Sequence, residues 1–253
     1  MALGLGIANE LLETPVVWSP NDPSLNQYLN FWYAMDEEIA QDIMGRVSAW
    51  GDLSSNDNHA VQTNTVYQPS LTISGITGAT GTPTFNGTSQ YMDLSSQIRT
   101  AQGASFAICA CFYLGSSTSR VLLSDSNAEF FEILTAKKLR FKGNGGGAKT
   151  TVRAFEESIF AADKTIYLII QRDADNNIGV YAEGKGEVEV DYAASGQTNI
   201  SNDRGFDIVN LGVRNDADRH FDGRINEIFM FNTRLDAQQR VSVMNYFINK
   251  FPE

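Results

Sequence analysis

Near its end the chain reads Phe221-Asp222-Gly223-Arg224-Ile225-Asn226-Glu227-Ile228-Phe229-Met230-Phe231, and near its front Phe31-Trp32-Tyr33-Ala34-Met35-Asp36. Both runs are rich in the aromatic and β-branched residues that favour strands. The front run leads on to Gly45-Arg46-Val47-Ser48-Ala49-Trp50-Gly51-Asp52-Leu53-Ser54-Ser55-Asn56-Asp57-Asn58-His59-Ala60, then Gln68-Pro69 and Phe85-Asn86-Gly87. The two stretches are matching bookends, and together they define a single closed β-sandwich.

Working inward, strands are expected at 91–94, 105–114, 121–124, 130–134, 139–142, 150–155, 165–172, 178–183, 187–192, 206–211 and 224–231. Turn-forming Gly, Asn, Asp and Ser separate them at short intervals, the signature of an all-β fold. The run 164–172 is apolar on both faces, as a strand in the middle of a sheet must be. Asp173-Ala174-Asp175-Asn176-Asn177 then turns the chain into a hairpin partner.

Working outward, the closing run is followed by one amphipathic helix. Asp236 with Gln239 forms a capping box, and Val241, Met244, Phe247, Ile248 and Phe251 recur at helical spacing. That stripe is expected to dock on the sandwich. Residues 1–30 differ from the rest: they hold Pro15, Pro20 and Pro23 and no basic residue. They read as an N-terminal arm, with 31–253 as the sandwich domain. Fully extended, such an arm reaches about 100 Å, enough to touch a neighbouring subunit.

Charge narrows the partners. With 19 Lys+Arg against 30 Asp+Glu the net charge is -11, which repels phosphate backbones and anionic lipid, so neither nucleic acid nor membrane is expected. The charge is uneven. Residues 1–136 hold only Arg46, Arg99 and Arg120 as basic groups, and the remaining basic residues lie from Lys137 onward. Cys109 and Cys111 sit two apart in an apolar run, about 7 Å apart on one strand face, too far for an unstrained disulfide. They read as buried hydrophobes. The N-terminus lacks the basic and apolar regions of a signal peptide, and no run approaches a membrane span.

Several motifs suggest chemistry. Gly143-Asn144-Gly145-Gly146-Gly147-Ala148-Lys149-Thr150 nearly spells a phosphate loop, but Ala148 replaces the required glycine and β-forming residues follow, so it reads as a hairpin loop. Alternation places Glu187, Glu189 and Asp191 on one strand face, in an order that departs from the Glu-x-Asp carboxylate pattern of lectin-like glucanases. All three tryptophans, Trp18, Trp32 and Trp50, lie far from it in sequence. The only histidines are His59 and His220, which excludes a histidine-rich metal centre. No catalytic residue and no metal ligand is assigned, and the binding residues stay open. Asp173–Asn177 starts like a calcium loop but has Ile178 in place of the glycine and Gly184 in place of the closing glutamate. Calcium is therefore the one cofactor left open, through the second acidic loop Asn215-Asp216-Ala217-Asp218-Arg219.

Phe31-Trp32-Tyr33-Ala34, the Gly45–Ala60 segment, Gln68-Pro69, Phe85-Asn86-Gly87 and the closing Phe221–Ile228 run resemble laminin-G-like, concanavalin-A-like jelly-roll domains. Ser55 departs from the glycine usual there. The resemblance spans about residues 31–251 and implies an antiparallel two-sheet jelly-roll sandwich with one C-terminal helix. Domains of this style resemble those of bacteriophage virion proteins, capsid decoration and tail-associated proteins among them. The resemblance therefore implies a non-enzymatic virion structural protein, made in a host cytoplasm and carried in many copies or as a homo-oligomer. Its arm would dock it on phage capsid or tail proteins. The alternative is a lectin-like module that binds glycans, and a glycoside hydrolase is the third reading.

Overall fold

The computed structural model describes residues 18–73, 81–116, 120–126, 129–134, 138–144, 148–155, 159–200, 205–214 and 218–252. Eighteen strands and one α-helix are found among them. The strands are β1 (Leu29–Ala34), β2 (Ile39–Gln41), β3 (Val47–Trp50), β4 (Ala60–Val61), β5 (Ser70–Thr72), β6 (Thr82–Asn86), β7 (Met92–Ala101), β8 (Phe106–Leu114) and β9 (Arg120–Ser126). They continue as β10 (Glu129–Leu134), β11 (Lys138–Lys142), β12 (Thr151–Phe155), β13 (Lys164–Arg172), β14 (Ile178–Ala182), β15 (Gly186–Val188), β16 (Val190–Tyr192), β17 (Gly205–Leu211) and β18 (Asp222–Phe231). The helix, α1, is Ala237–Lys250.

Two antiparallel sheets stack face to face. One has eight strands in the order β15-β14-β13-β8-β18-β6-β5, with β1 also paired to β18. The other has ten, in the order β16-β12-β11-β10-β9-β17-β7-β4-β3-β2. The bookends do meet: Trp32 of β1 lies opposite Phe229 of β18, and Tyr33 opposite Ile228. The protein is an all-β jelly-roll sandwich with one C-terminal helix, as expected.

The core has two compartments because the eight-stranded sheet is covered on both sides. Between the sheets lie Phe112, Ile166, Leu168, Phe206, Ile225 and their neighbours. The alternate residues of the same strands, among them Cys109, Cys111, Tyr167, Ile169 and Phe229, face α1. This explains why β13 is apolar throughout: one face meets the opposite sheet and the other meets the helix. Both cysteines are free thiols in the helix-side compartment. Leu25, Leu29 and Trp18, from the segment read as an arm, also pack there, and Trp18 lies 5.5 Å from the Tyr246 ring edge-on. Residues 1–17 of that segment lie outside the described residues.

Three sequence expectations are corrected. The run 187–192 is not one strand: β15 edges the eight-stranded sheet, and β16 edges the ten-stranded one. The chain changes sheets at Glu189, so Glu187, Glu189 and Asp191 do not share a face. The helix is also rotated from its expected stripe. Val243, Tyr246 and Phe247 are buried, whereas Val241 is 58% exposed and Ile248 37%. Counting only wholly apolar residues misplaced the face, because Tyr246 and Lys250 have a buried acidic partner. Finally, β1 to β6 are absent from the expected strands. They are two to six residues long and lack sustained alternation.

That buried partner is Glu227 of β18, fully shielded from solvent. Trp32 Nε1 and the Tyr246 hydroxyl donate to its Oε1 at 2.5 and 2.8 Å, and Lys250 Nζ donates to Oε2 at 2.7 Å. One carboxylate thus joins the first strand, the last strand and the helix. Next to it, buried Asp52 accepts from the Trp32 and Ser54 amides through Oδ1, and from the Asn58 amide and Ser54 hydroxyl through Oδ2. The Trp50–Asn58 segment is therefore a self-satisfied loop fastened to β1.

Two predictions follow from this packing. Gly223 has a φ of +146°, and a Cβ there would come within 2.0 Å of the Tyr113 carbonyl oxygen in β8. Gly223→Ala should cost at least about 2 kcal/mol in urea unfolding, since neither the torsion nor the neighbouring backbone can yield. Burial raises the Glu227 carboxyl above its usual range while Lys250 opposes that rise. Without its cation the carboxylate would ionise unpaired at high pH and stay neutral at low pH. Lys250→Met should therefore lose more stability at pH 8 than at pH 5, and equal losses at both would contradict the pairing.

Candidate functional site

The motifs singled out in the sequence are mostly spent on structure. Gly143 N donates to the Thr150 carbonyl at 3.0 Å, closing a loop between the paired strands β11 and β12. Residues 145–147 of that loop lie outside the described residues. Asp173 caps its own turn, accepting from the Asp175 and Asn177 amides at 2.9 Å each. In the second acidic loop residues 215–217 lie outside the described residues, and Asp218 pairs with Arg214 at 3.0 Å. His59 Nδ1 accepts from the Asp52 amide at 3.1 Å, and His220 lies 6.2 Å from the Tyr91 ring.

The cleft with the most evident chemistry was not read from the sequence. It lies on the outward face of the ten-stranded sheet. In β10, β11 and β12 the residues Phe131, Ile133, Leu139, Phe141, Val152 and Ala154 point into the core. The pleat therefore turns Phe130, Glu132, Arg140, Lys142, Thr151 and Arg153 the other way. Strand register lines up Glu132, Arg140, Arg153 and Asp191 across four adjacent strands. Arg214 and Arg219 approach from the loop before β18. The resulting cavity, of about 380 Å³, is lined by Arg140, Lys142, Thr151, Arg153, Arg214 and Arg219 over Phe130.

Its floor is an ion-pair network. Glu132, fully buried, accepts from Arg140 through Oε2 and from Arg219 Nη1 through Oε1 at 2.7 Å. Arg140 and Lys142 also lie over the Phe130 ring, 4.7 and 5.6 Å from its centre. Burial lowers the Lys142 ammonium from its usual range, and the neighbouring charges of Arg140 and Arg214 lower it further. Burial likewise lowers Arg140, against the pull of Glu132. Such a surface offers donors and positive charge. It suits hydroxyl, carboxylate or sulfate oxygens.

Two other features complete the survey. Asp125, Glu129 and Asp207 bring carboxylate oxygens within 4.8 Å of one another. They could supply three ligands to a calcium ion, which takes about six to eight oxygens. Burial lifts Glu129 to about 7, with the charges of Asp207 and Asp125 adding to it. A groove of about 500 Å³ separates α1 from the β14–β15 hairpin, with the exposed Val241 and Ile248 on its helix side.

Two antiparallel sheets closed over one core, with the first and last strands paired, define a concanavalin A-like jelly roll. The chain belongs to the concanavalin A-like lectin/glucanases superfamily, whose Laminin_G_3 model matches residues 86–239, more than half of it. Among solved structures it is similar to a Trypanosoma rangeli sialidase, with TM-score 0.53 and 12% identity over 89% of this chain and 33% of that one. It is also similar to the binding domain of botulinum neurotoxin serotype D/C, with TM-score 0.52 and 10% identity over 87% of this chain and 52% of that one. The chain thus spans a third to a half of these proteins, and at such identities the likeness is one of fold. The same sialidase has also been solved with 2,3-difluorosialic acid. No match to the sequence was found among curated proteins.

The acidic cluster sets a pH dependence. Glu129 has an ordinary value of 4.5 and is raised to about 7 in the folded protein, so folding takes up a proton between these values. Its favourable contribution is complete below pH 4.5 and is lost as pH rises through 7. Glu129→Gln keeps an acceptor for the Asp207 amide and removes the charge. The variant's melting temperature should fall less than the wild type's between pH 5 and pH 8; an equal fall would show that the cluster does not repel itself.

Proposed function

We propose that this protein is a carbohydrate-binding module without enzymatic activity. The observation that carries this reading is the open, donor-lined cleft on the ten-stranded sheet, since sugars present rings of hydroxyl and acid oxygens to such donors. Membership of a lectin and glucanase superfamily supports it, as does the fold likeness to a sialidase and a toxin binding domain. Glu187 and Asp191, which alternation places on one strand face, stand on edges of different sheets, which favours binding over hydrolysis.

A place on a phage particle, the leading expectation from the sequence, would be a use of such a module rather than a rival chemistry. Its tether would be the part of the expected arm that precedes Trp18, since Trp18, Leu25 and Leu29 pack on the sandwich. The fold likenesses lend that placement no support.

The purified full chain should bind a subset of spots on a broad glycan array. Arg153→Ala should weaken that binding by about tenfold or more, the scale of one lost charge-assisted hydrogen bond. An array without signal at any concentration up to the millimolar range would overturn the assignment.

A further inference from the structure

We infer that the cleft on the ten-stranded sheet is specific for a sugar that carries a carboxylate, with Lys142 and Arg153 as the groups that engage it. The inference deepens the carbohydrate-binding reading and rests on it.

Most cations in the cleft already have an anion. Glu132 serves Arg140 and Arg219, and Asp218 serves Arg214 and, at 3.6 Å, Arg219. Lys142 and Arg153 form no ion pair among the described residues. Asp191 lies opposite Arg153 in register yet does not pair with it. Two positive side chains are thus held beside three others, in a cavity where like charges already disfavour the Lys142 ammonium. An anion placed between them would relieve that repulsion. The chain invests this charge against a net balance of -11, so the cleft is a local reversal of an acidic surface.

The shape of the site argues for a carboxylated sugar over other ligands. A neutral sugar gains much of its affinity by laying its apolar face on an exposed aromatic ring. The one aromatic lining this cleft, Phe130, is 2% exposed and lies beneath Arg140 and Lys142. Recognition here must come from charge and hydrogen bonds. Arg153 offers a planar fork that matches a carboxylate, and Lys142 offers a point charge beside it. A nucleic acid would need an extended basic track, whereas this is a single cavity of about 380 Å³, the size of a small-ligand site.

The test compares matched probes by isothermal titration calorimetry on the full chain. Methyl β-D-glucuronide and the methyl glycoside of N-acetylneuraminic acid supply the carboxylate on two different rings. Methyl β-D-glucoside is the neutral counterpart, and inorganic phosphate is the bare anion. At least one acidic sugar should bind at least about tenfold tighter than the glucoside, with an affinity that falls as salt rises. The double variant Lys142→Gln/Arg153→Gln should lose that preference, while Arg99→Gln, an exposed change elsewhere on the sheet, should keep it. Unchanged melting temperatures would show that the variants remain folded.

Equal binding of the glucoside would overturn the charge specificity while leaving carbohydrate binding intact. So would acidic-sugar binding that the double variant retains, because the site would then lie elsewhere. Phosphate binding as tight as either sugar, lost in the same variant, would reduce the cleft to a non-specific anion patch. Failure of every sugar, here and on the array, would remove the function and the inference together.

Discussion

One buried carboxylate organises the closure of this molecule. Glu227 sits on the last strand, where that strand meets the first strand and the helix; the first strand contributes one donor to it and the helix two. Taking a carboxylate out of water is costly unless each oxygen is matched, so the three elements are constrained to one mutual geometry. The remaining architecture follows from that junction. With β1 held on β18 and α1 held over both, the eight-stranded sheet is covered on its outer face, and its strands can be apolar throughout. Asp52 then fixes the loop after β3 to β1 through backbone amides, which ties the ten-stranded sheet to the eight-stranded one at the front of the chain.

The same covering explains where a ligand can bind. One face of the eight-stranded sheet is closed by the helix and the other by the core. The ten-stranded sheet has a face left to solvent, and its outward residues are free to be polar. Among β10, β11 and β12 those residues are cations arranged over Glu132, which neutralises part of their charge and leaves the rest facing outward. The proposed binding cleft therefore lies on the uncovered sheet, and the helix covers the other one.

Much of the fold was legible in the sequence. Strand periodicity located β7 to β14, β17 and β18 to within a few residues of one end, although β7 continues well past the expected four-residue run. The bookend motifs identified the sandwich because aromatic and glycine residues such as Trp32, Trp50 and Gly223 satisfy tight local geometry. Less of the candidate site was legible. Arg140, Lys142 and Arg153 are spaced as the polar face of any alternating strand, and nothing in a linear reading brings Arg214 and Arg219 beside them. The carboxylates at 187, 189 and 191 misled in the opposite direction: alternation assumes one continuous strand, and the chain crosses between sheets at Glu189.

The sequence by itself determined the class of fold, the meeting of the two bookend runs and the strongly acidic balance. These depend on local propensity, spacing and composition, which a linear pattern carries. Only the tertiary structure decided which face of α1 is buried, that Glu227 can be satisfied without water, and that five basic side chains share one cleft. Each of those depends on strand register and sheet order. Both arise from pairings between residues far apart in the chain, so no segment encodes them alone.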